Sequence, residues 1–131
     1  MTFVDTSFWV ALQFTQDQNH AEARQLWKSR KQALLTTNHV VGETWTFLRR
    51  RLGHRPAVAF VEGARKSQQL SIRLIDQALE DDAWGWLQRH DEREYSFVDG
   101  TSFAFMKRSR IREALAFDGD FSAAGFTELR S

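Results

Sequence analysis

The stretch TFVDTSFW, residues 2–9, sets the expectations for the whole chain. Two apolar residues precede an aspartate, and two small hydroxyl residues follow it. This order is typical of a short buried strand over 2–5 that leads into a helix over 6–14, because small hydroxyl residues favour a helix start. A close variant, FVDGTSF, recurs at residues 97–103 between different flanking residues. We therefore expect one local arrangement used twice, in which an extended approach brings an aspartate to the start of a helix.

Segments typical of strands and of helices alternate along the rest of the chain. The pattern predicts further strands at 33–37, 70–75, 113–118 and 126–129, and a short extended approach at 95–99. Helices are predicted over 19–31, from Asn38 to Gly53, after Gly53, over 77–92 and over 100–110. Such alternation is typical of an α/β fold with a largely parallel sheet, whose functional groups lie at the carboxyl ends of the strands.

Composition limits the class of protein. The 131 residues contain 42% apolar residues and no linker-like tract, so we expect a single domain over 1–131. The absence of cysteine excludes disulfides and thiolate metal sites. There is no basic leader and no apolar run of the roughly 18–20 residues that span a bilayer, so we expect a cytoplasmic protein without membrane association.

Three aspartates come at the ends of apolar stretches, namely Asp5, Asp99 and Asp118. If the three segments run parallel, their ends meet at one edge of the sheet. Clustered carboxylates repel one another, whereas a hard divalent cation such as Mg²⁺ or Mn²⁺ binds them through oxygen. Glu43, near the start of the helix after the second strand, is a fourth acid for this site. The pattern favours a metal site, which with a phosphodiester would align water, the scissile phosphorus and the leaving oxygen.

Four segments resemble the PIN-domain family, and within it the VapC-type toxins. They are VDTSFW at 4–9, GETWTFLRRR at 42–51, SFVDGTSFAFMKR at 96–108 and ALAFDGDFSAAGF at 114–126. The resemblance implies a three-layer α/β/α fold and a Mg²⁺- or Mn²⁺-dependent ribonuclease. It also implies that Asp5, Glu43, Asp99 and Asp118 are catalytic metal ligands. Further implications are a homodimer, an RNA substrate and a small cognate antitoxin protein.

Each acid also has a simpler interpretation. Asp5 and Asp99 suit helix N-caps, and a capping carboxylate has a second oxygen left for a metal. Glu43 alone suits a solvated helix face. Asp118 opens the turn-like sequence DGD, in which Asp120 is a rival for the fourth acidic position. Thr6 and Thr101 are possible auxiliary groups that hydrogen-bond a carboxylate or a phosphate, although a plain capping role suits both.

Basic residues gather in two short stretches near helix ends, Arg49, Arg50 and Arg51 in one and Lys107, Arg108 and Arg110 in the other. Cations at helix C-termini favour the helix dipole without any ligand. The net charge is only +1, but four of the 17 acidic residues belong to the predicted site. The other 13 acidic residues are outnumbered by 18 basic residues, so the rest of the chain has an excess of positive charge. We therefore expect RNA contact for some of these cations.

Other classes fit less well. A haloacid-dehalogenase-type phosphatase requires an acid two residues after the first aspartate, where this chain has Ser7. A receiver domain requires paired early acids and a late Lys-Pro, and the sequence has neither. The remaining alternative is a PIN fold that serves as an RNA-binding or protein-interaction module without nuclease activity. Retention of all four acids favours the enzyme.

Overall fold

The computed structural model of the chain describes residues 1–29 and 32–131. Its strands form one five-stranded sheet, ordered β3-β2-β1-β4-β5, in which every neighbouring pair is parallel. The strands are β1 Thr2–Val4, β2 Leu34–Thr37, β3 Leu70–Arg73, β4 Glu113–Leu115 and β5 Thr127–Glu128. The predicted α/β fold with a largely parallel sheet is confirmed.

Helices flank the sheet and pack in pairs, α1 with α2, α3 with α4 and α5 with α6. Their bounds are α1 Thr6–Gln13, α2 His20–Ser29, α3 Asn38–Arg51, α4 His54–Lys66, α5 Gln77–Arg89, α6 Phe97–Arg108 and α7 Asp120–Ala123. The predicted end of the second helix, at residues 30–31, lies outside the described residues. No helix in the described ranges is long and apolar enough to cross a membrane.

Strand β1 occupies the centre of the sheet and is buried along its whole length. A strand covered on both faces needs apolar side chains on both, which explains why Phe3 and Val4 are adjacent. Phe3 packs against Phe105 and Phe121, with ring centroids 6.0 Å apart in each pair. The amide of Asp5 donates to the Leu115 carbonyl at 3.0 Å, so the chains leaving β1 and β4 stay side by side. This pairing brings the residues after both strands to the same edge.

The prediction of an extended segment over 95–99 is wrong, because α6 begins at Phe97. Ser96 is the N-cap, and Asp99 is the third residue of the helix. The Ser96 hydroxyl accepts from the Asp99 amide at 3.0 Å, and the Asp99 carboxylate accepts from the Ser96 amide at 3.1 Å. This reciprocal pair is a capping box, which satisfies two backbone donors at the helix start. The capping box explains why the second FVD stretch is helical although the first is not.

The strand predicted over 113–118 ends at Leu115. Residues 116–118 leave the ladder, and Gly119 takes a left-handed conformation with φ of 83° before the short helix α7. An L side chain rarely adopts this φ, so glycine is the residue that allows the sharp turn. The turn places Asp118 and Asp120 on the two sides of Gly119, near the carboxyl end of β1.

Candidate active site

An acidic cleft of about 480 Å³ opens at the carboxyl edge of the sheet, beside the ends of β1 and β4. No lysine, arginine or histidine of the described chain lines it. Seven carboxylates do, namely Asp5, Asp17, Glu43, Glu94, Asp99, Asp118 and Asp120. The four acids predicted from the sequence therefore lie in one cleft, together with their rival Asp120.

Asp5 combines a structural role with a free oxygen. It is the N-cap of α1, and its Oδ2 accepts from the Ser7 amide at 3.1 Å and from the Ser7 hydroxyl at 2.7 Å. Its Oδ1 is buried and has no hydrogen-bond partner among the described residues. A buried carboxylate oxygen without a partner carries a large desolvation cost. The cap therefore leaves one oxygen of Asp5 available for a cation.

The Ser7 hydroxyl joins the two strand ends. It donates to Asp5 and also accepts from the backbone amide of Phe117 at 2.9 Å. Phe117 directly precedes Asp118 in the chain that leaves β4. The Ser7 hydroxyl therefore holds both the Asp5 carboxylate and the backbone next to Asp118. Ser7 thereby sets the separation of two acids that lie far apart in the sequence.

Three carboxylates form the closest group in the cleft. Asp99, Asp118 and Asp120 each offer an oxygen, and these oxygens all lie within 4.8 Å of one another. The amide of Asp120 donates to Asp118 Oδ1 at 3.1 Å, which fixes the orientation of the Asp118 side chain across the glycine turn. The capping box holds Asp99 through its Oδ2. The arrangement leaves oxygens of all three groups close enough to share one cation.

Arg93, in the connection between α5 and α6, fastens this turn from outside the cleft. Its Nε donates to Asp120 Oδ1 at 2.7 Å, and its Nη2 donates to the Asp118 carbonyl at 3.0 Å. A Cβ on Gly119 would lie 3.3 Å from Arg93 Nη2, so the arginine packs closely over the glycine. Asp120 is therefore partly neutralised by a cation, unlike Asp118.

Burial and mutual repulsion raise the pKa of three acids. Asp5 reaches about 8, because burial disfavours its charge and the charges of Asp118 and Asp99 add to this effect. Burial raises the pKa of Asp99 to about 7, with contributions from Asp118, Asp120 and Glu43. The pKa of Asp118 rises to about 6, chiefly through loss of water around a carboxylate that still opens to the cleft. Without a cation, the cleft holds protons at neutral pH.

The donor set fits a hard divalent cation. All the converging groups are carboxylate oxygens, the ligands that Mg²⁺ and Mn²⁺ prefer, and thiolates are absent from the chain. The unpartnered Oδ1 of Asp5 is an independent sign, since a cation would supply the partner that the protein does not. A bound cation would also remove the repulsion that raises the three pKa values.

The two threonines differ in availability. Thr6 lines the cleft, and its Oγ1 lies 3.4 Å from Thr44 Oγ1 of α3. Thr101 is fully buried, and its hydroxyl donates to the Val98 carbonyl at 2.8 Å. The helix backbone therefore uses the hydroxyl of Thr101, whereas that of Thr6 is at the cleft.

The two basic stretches occupy different places. Arg49, Arg50 and Arg51 are exposed at the end of α3, and the Arg51 guanidinium lies 5.0 Å from the ring of Phe47, which lines the cleft. The second stretch lines another groove altogether. Its members are Lys107, Arg108 and Arg110.

Sequence reasoning missed the residues that hold the acids in place. Ser96 had a signal, because a serine three residues before an acid at a helix start is a capping box. The only sequence signal for Ser7 is its position two residues after Asp5, and that position also suits an ordinary residue at a helix start. Arg93 carried no signal, since it acts across 25 and 27 residues on Asp118 and Asp120.

Residues 2–127 match the PIN domain family, and the chain belongs to that family. Two curated relatives, the 23S rRNA-specific endonuclease VapC20 of Mycobacterium tuberculosis strains CDC 1551 / Oshkosh and H37Rv, are each 56% identical over 130 residues. The match covers 99% of this chain and 98% of each relative. The chain is also similar to the crystal structure of M. tuberculosis VapC20, described as a Sarcin-Ricin loop cleaving toxin, with a TM-score of 0.95, 54% identity and full coverage of both chains.

Proposed function

We propose that this PIN-domain protein is a metal-dependent endoribonuclease whose catalytic groups are Asp5, Glu43, Asp99 and Asp118. The observation that carries the proposal is the buried, unpartnered Oδ1 of Asp5 in a cleft lined by carboxylates with raised pKa. Such a cleft is unfavourable on its own and becomes favourable with a cation. Asp120, paired with Arg93, is an auxiliary acid, and Thr6 is placed to hydrogen-bond a carboxylate or a phosphate.

The proposed substrate is 23S ribosomal RNA at its sarcin–ricin loop. The support is 56% identity over nearly the whole chain to relatives named for cleavage of 23S rRNA, together with the structural likeness to a toxin named for that loop. By the same likeness to VapC-type toxins, we propose that a small antitoxin protein binds this chain and that it forms a homodimer.

In the proposed reaction the four acids would hold Mg²⁺ or Mn²⁺, and the bound ion would supply activation of water and neutralisation of phosphate charge. Ser7 and the capping box fix the orientation of Asp5 and Asp99 before substrate arrives, so no rearrangement of these ligands is needed. Proton transfer falls to a carboxylate, because no histidine or lysine of the described chain lines the cleft.

We propose that exposed arginines near the cleft supply the positive charge that a polyanion needs. Arg51 lies over Phe47, so of the three consecutive arginines it is the one shown beside a cleft-lining residue. We propose that Arg51 contacts an RNA phosphate, whereas Arg49 and Arg50 attract the RNA electrostatically at longer range. An Arg51→Ala variant should lose about one unit of salt slope in RNA binding.

The test is cleavage of a sarcin–ricin hairpin by the purified protein with Mg²⁺, Mn²⁺ or EDTA. Cleavage at one site with either metal, none with EDTA and none with Asp99→Asn is the expected result. The matched control is Glu62→Gln, an exposed acid on α4 outside the cleft, which should cleave like the wild type. Binding of the hairpin without cleavage under every metal condition would instead establish the non-catalytic alternative.

A further inference from the structure

A second and larger groove, of about 1090 Å³, lies between α5, the end of α6 and the turns before β4 and β5. It lies toward the opposite end of α6 from Asp99, so it is separate from the acidic cleft. Nine residues of α6 follow Asp99 up to the helix end at Arg108, a rise of roughly 14 Å along the helix axis. Five cations line the groove, namely Arg89, Lys107, Arg108, Arg110 and Arg112.

Most of this positive charge is not neutralised within the protein. All five cations are exposed, and only Arg108 forms ion pairs, at 3.5 Å with Asp76 and 3.7 Å with Asp82. Throughout the described ranges, the other four make no ion pair. Asp81 and Asp82 are the only acids among the lining residues. The groove therefore carries an excess of about three positive charges and is complementary to a polyanion.

Arg110 occupies a backbone position that favours glycine. Its φ is 58°, and it is the one non-glycine residue with positive φ in the described chain. The Arg110 amide donates to the Lys107 carbonyl at 3.2 Å and the Ile111 amide to the Met106 carbonyl at 2.9 Å, which together form a Schellman cap at the end of α6. Glycine is the common residue at this position, because a Cβ is disfavoured in the left-handed conformation. An arginine here costs stability and adds a charge to the groove.

We infer that this groove is a second RNA-binding surface, which holds phosphates of the stem beside the cleaved loop. The inference rests on the proposed function and adds to it a contact outside the cleft. Two observations support it. Four cations of the groove make no ion pair with the described residues, and one of them, Arg110, has a strained backbone. Non-glycine residues held in the left-handed conformation cluster at functional sites, which agrees with a role for the Arg110 side chain. The occupant is the RNA backbone, because exposed cations along one groove, mostly arginines, match the geometry and charge of successive phosphates.

The decisive variant is Arg110→Gly, which removes the charge and relieves the backbone. Its melting temperature should rise by a few degrees, while its binding of a stem-containing sarcin–ricin hairpin weakens. The salt slope of binding should fall by about one unit, and Arg112→Ala should lower it by a similar amount. The measurements use an Asp99→Asn background in EDTA, in which the hairpin stays intact. Arg65→Ala, an exposed arginine in the last turn of α4, is the matched control and should leave the slope unchanged.

A second probe separates the groove from the cleft. The loop strand without its stem should bind the Arg110→Gly variant as well as it binds the protein with Arg110, because the short RNA does not reach the groove. If hairpin binding and salt slope are unchanged in Arg110→Gly and Arg112→Ala, the groove does not bind RNA. A change in oligomeric state in these variants, with RNA binding intact, would assign the groove to a protein partner and overturn the inference. Failure of the protein with all native residues to cleave any hairpin would overturn the proposed function instead.

Discussion

The stretches Phe3–Asp5 and Phe97–Asp99 share the letters FVD and both bring an aspartate to the same cleft. Their backbones differ. In the first, the apolar pair belongs to the central strand, and Asp5 caps the helix that follows. In the second, the same letters form the first turn of a helix that Ser96 caps. Identical local sequence thus adopts two conformations, and the position of the nearest serine distinguishes them.

The partner of each aspartate explains the difference. Asp5 is held by a serine two residues later, whereas Asp99 is held by a serine three residues earlier. The arrangement around Asp5 also reaches across the sheet to Phe117, so it depends on tertiary contacts. The arrangement around Asp99 is local to one helix start. The two carboxylates therefore have similar chemistry but should respond differently to substitution.

The largest expected effect is on cleavage, and it should be equal in the two stretches. Asp5→Asn and Asp99→Asn should each lower the cleavage rate on the order of 10²–10³-fold or more, as removal of a charged group at the reacting centre does. In EDTA, Asp5→Asn should melt at the same temperature as the wild type or higher, because it removes an acid that must take up a proton on folding and keeps an acceptor for Ser7. Unfolding of Asp5→Asn with and without metal would mean that capping, not metal binding, defines Asp5.

The dependence of stability on pH should separate the two aspartates. Their folded pKa values, about 8 and about 7, lie above the unfolded value of 3.8, so the folded state holds more protons. In EDTA, the free energy of unfolding should therefore fall as pH rises from about 4 to 8, by up to about 1.4 kcal/mol per pH unit for each such group. Asp5→Asn should remove its share of the fall over the whole range, including the part between pH 7 and 8. Asp99→Asn should remove only its own share below about pH 7, where Asp5 and, up to about pH 6, Asp118 still contribute. Urea titrations across this range test it, and a rise in stability with pH in EDTA would contradict it.

Serine variants should distinguish the tertiary arrangement from the local one. Ser7→Ala deletes the hydroxyl that serves both Asp5 and Phe117, which should cost about 1–3 kcal/mol and lower cleavage about 10–100-fold. Ser96→Ala deletes a helix cap, which should cost about 1 kcal/mol. Chemical denaturation of both variants gives the comparison. A larger loss from Ser96→Ala would mean that the contact across the sheet matters less than the capping box.

The smallest expected effect concerns the acids around Gly119. Asp120 is paired with Arg93, so Asp120→Asn should lower cleavage about tenfold, less than Asp118→Asn does. Arg93→Ala should resemble Asp120→Asn, because it releases the same carboxylate, and Arg93→Lys should recover part of the loss. Single-turnover cleavage rates with saturating metal test the order. Equal losses for Asp118→Asn and Asp120→Asn would indicate that both acids bind metal.

Much of the fold followed from periodicity, because alternation of strands and helices depends on local apolar spacing. The family and the α/β fold are confirmed, and the predicted ribonuclease function agrees with what the relatives are named for. The prediction of an extended segment over 95–99 is wrong because apolar pairs occur in strands and in first turns alike, and only the SFVD capping box distinguishes the two. The roles of the site residues and the single domain over 1–131 stay predictions.

Contacts between distant segments could not be predicted. Arg93 meets Asp120 through the geometry of a connection between two helices, and no spacing rule indicates that meeting. The separation of the two basic stretches depends on how far α6 runs from the cleft, which requires the packed structure. Which of Asp118 and Asp120 contributes more to the site depends on the left-handed turn at Gly119 and on the contact of Arg93 with Asp120.

The central position of β1 governs when the protein can become active during synthesis. β1 is made well before its neighbour β4, which lies 111 residues later, as the pairing of Thr2 with Glu113 shows. Contacts of such long sequence separation form late in folding. A nascent chain still lacking Asp118 on the ribosome has Asp5 and Asp99 without their third partner. If the chain cleaves ribosomal RNA as proposed, it cannot attack the ribosome that makes it before the codon for Asp118 has been read.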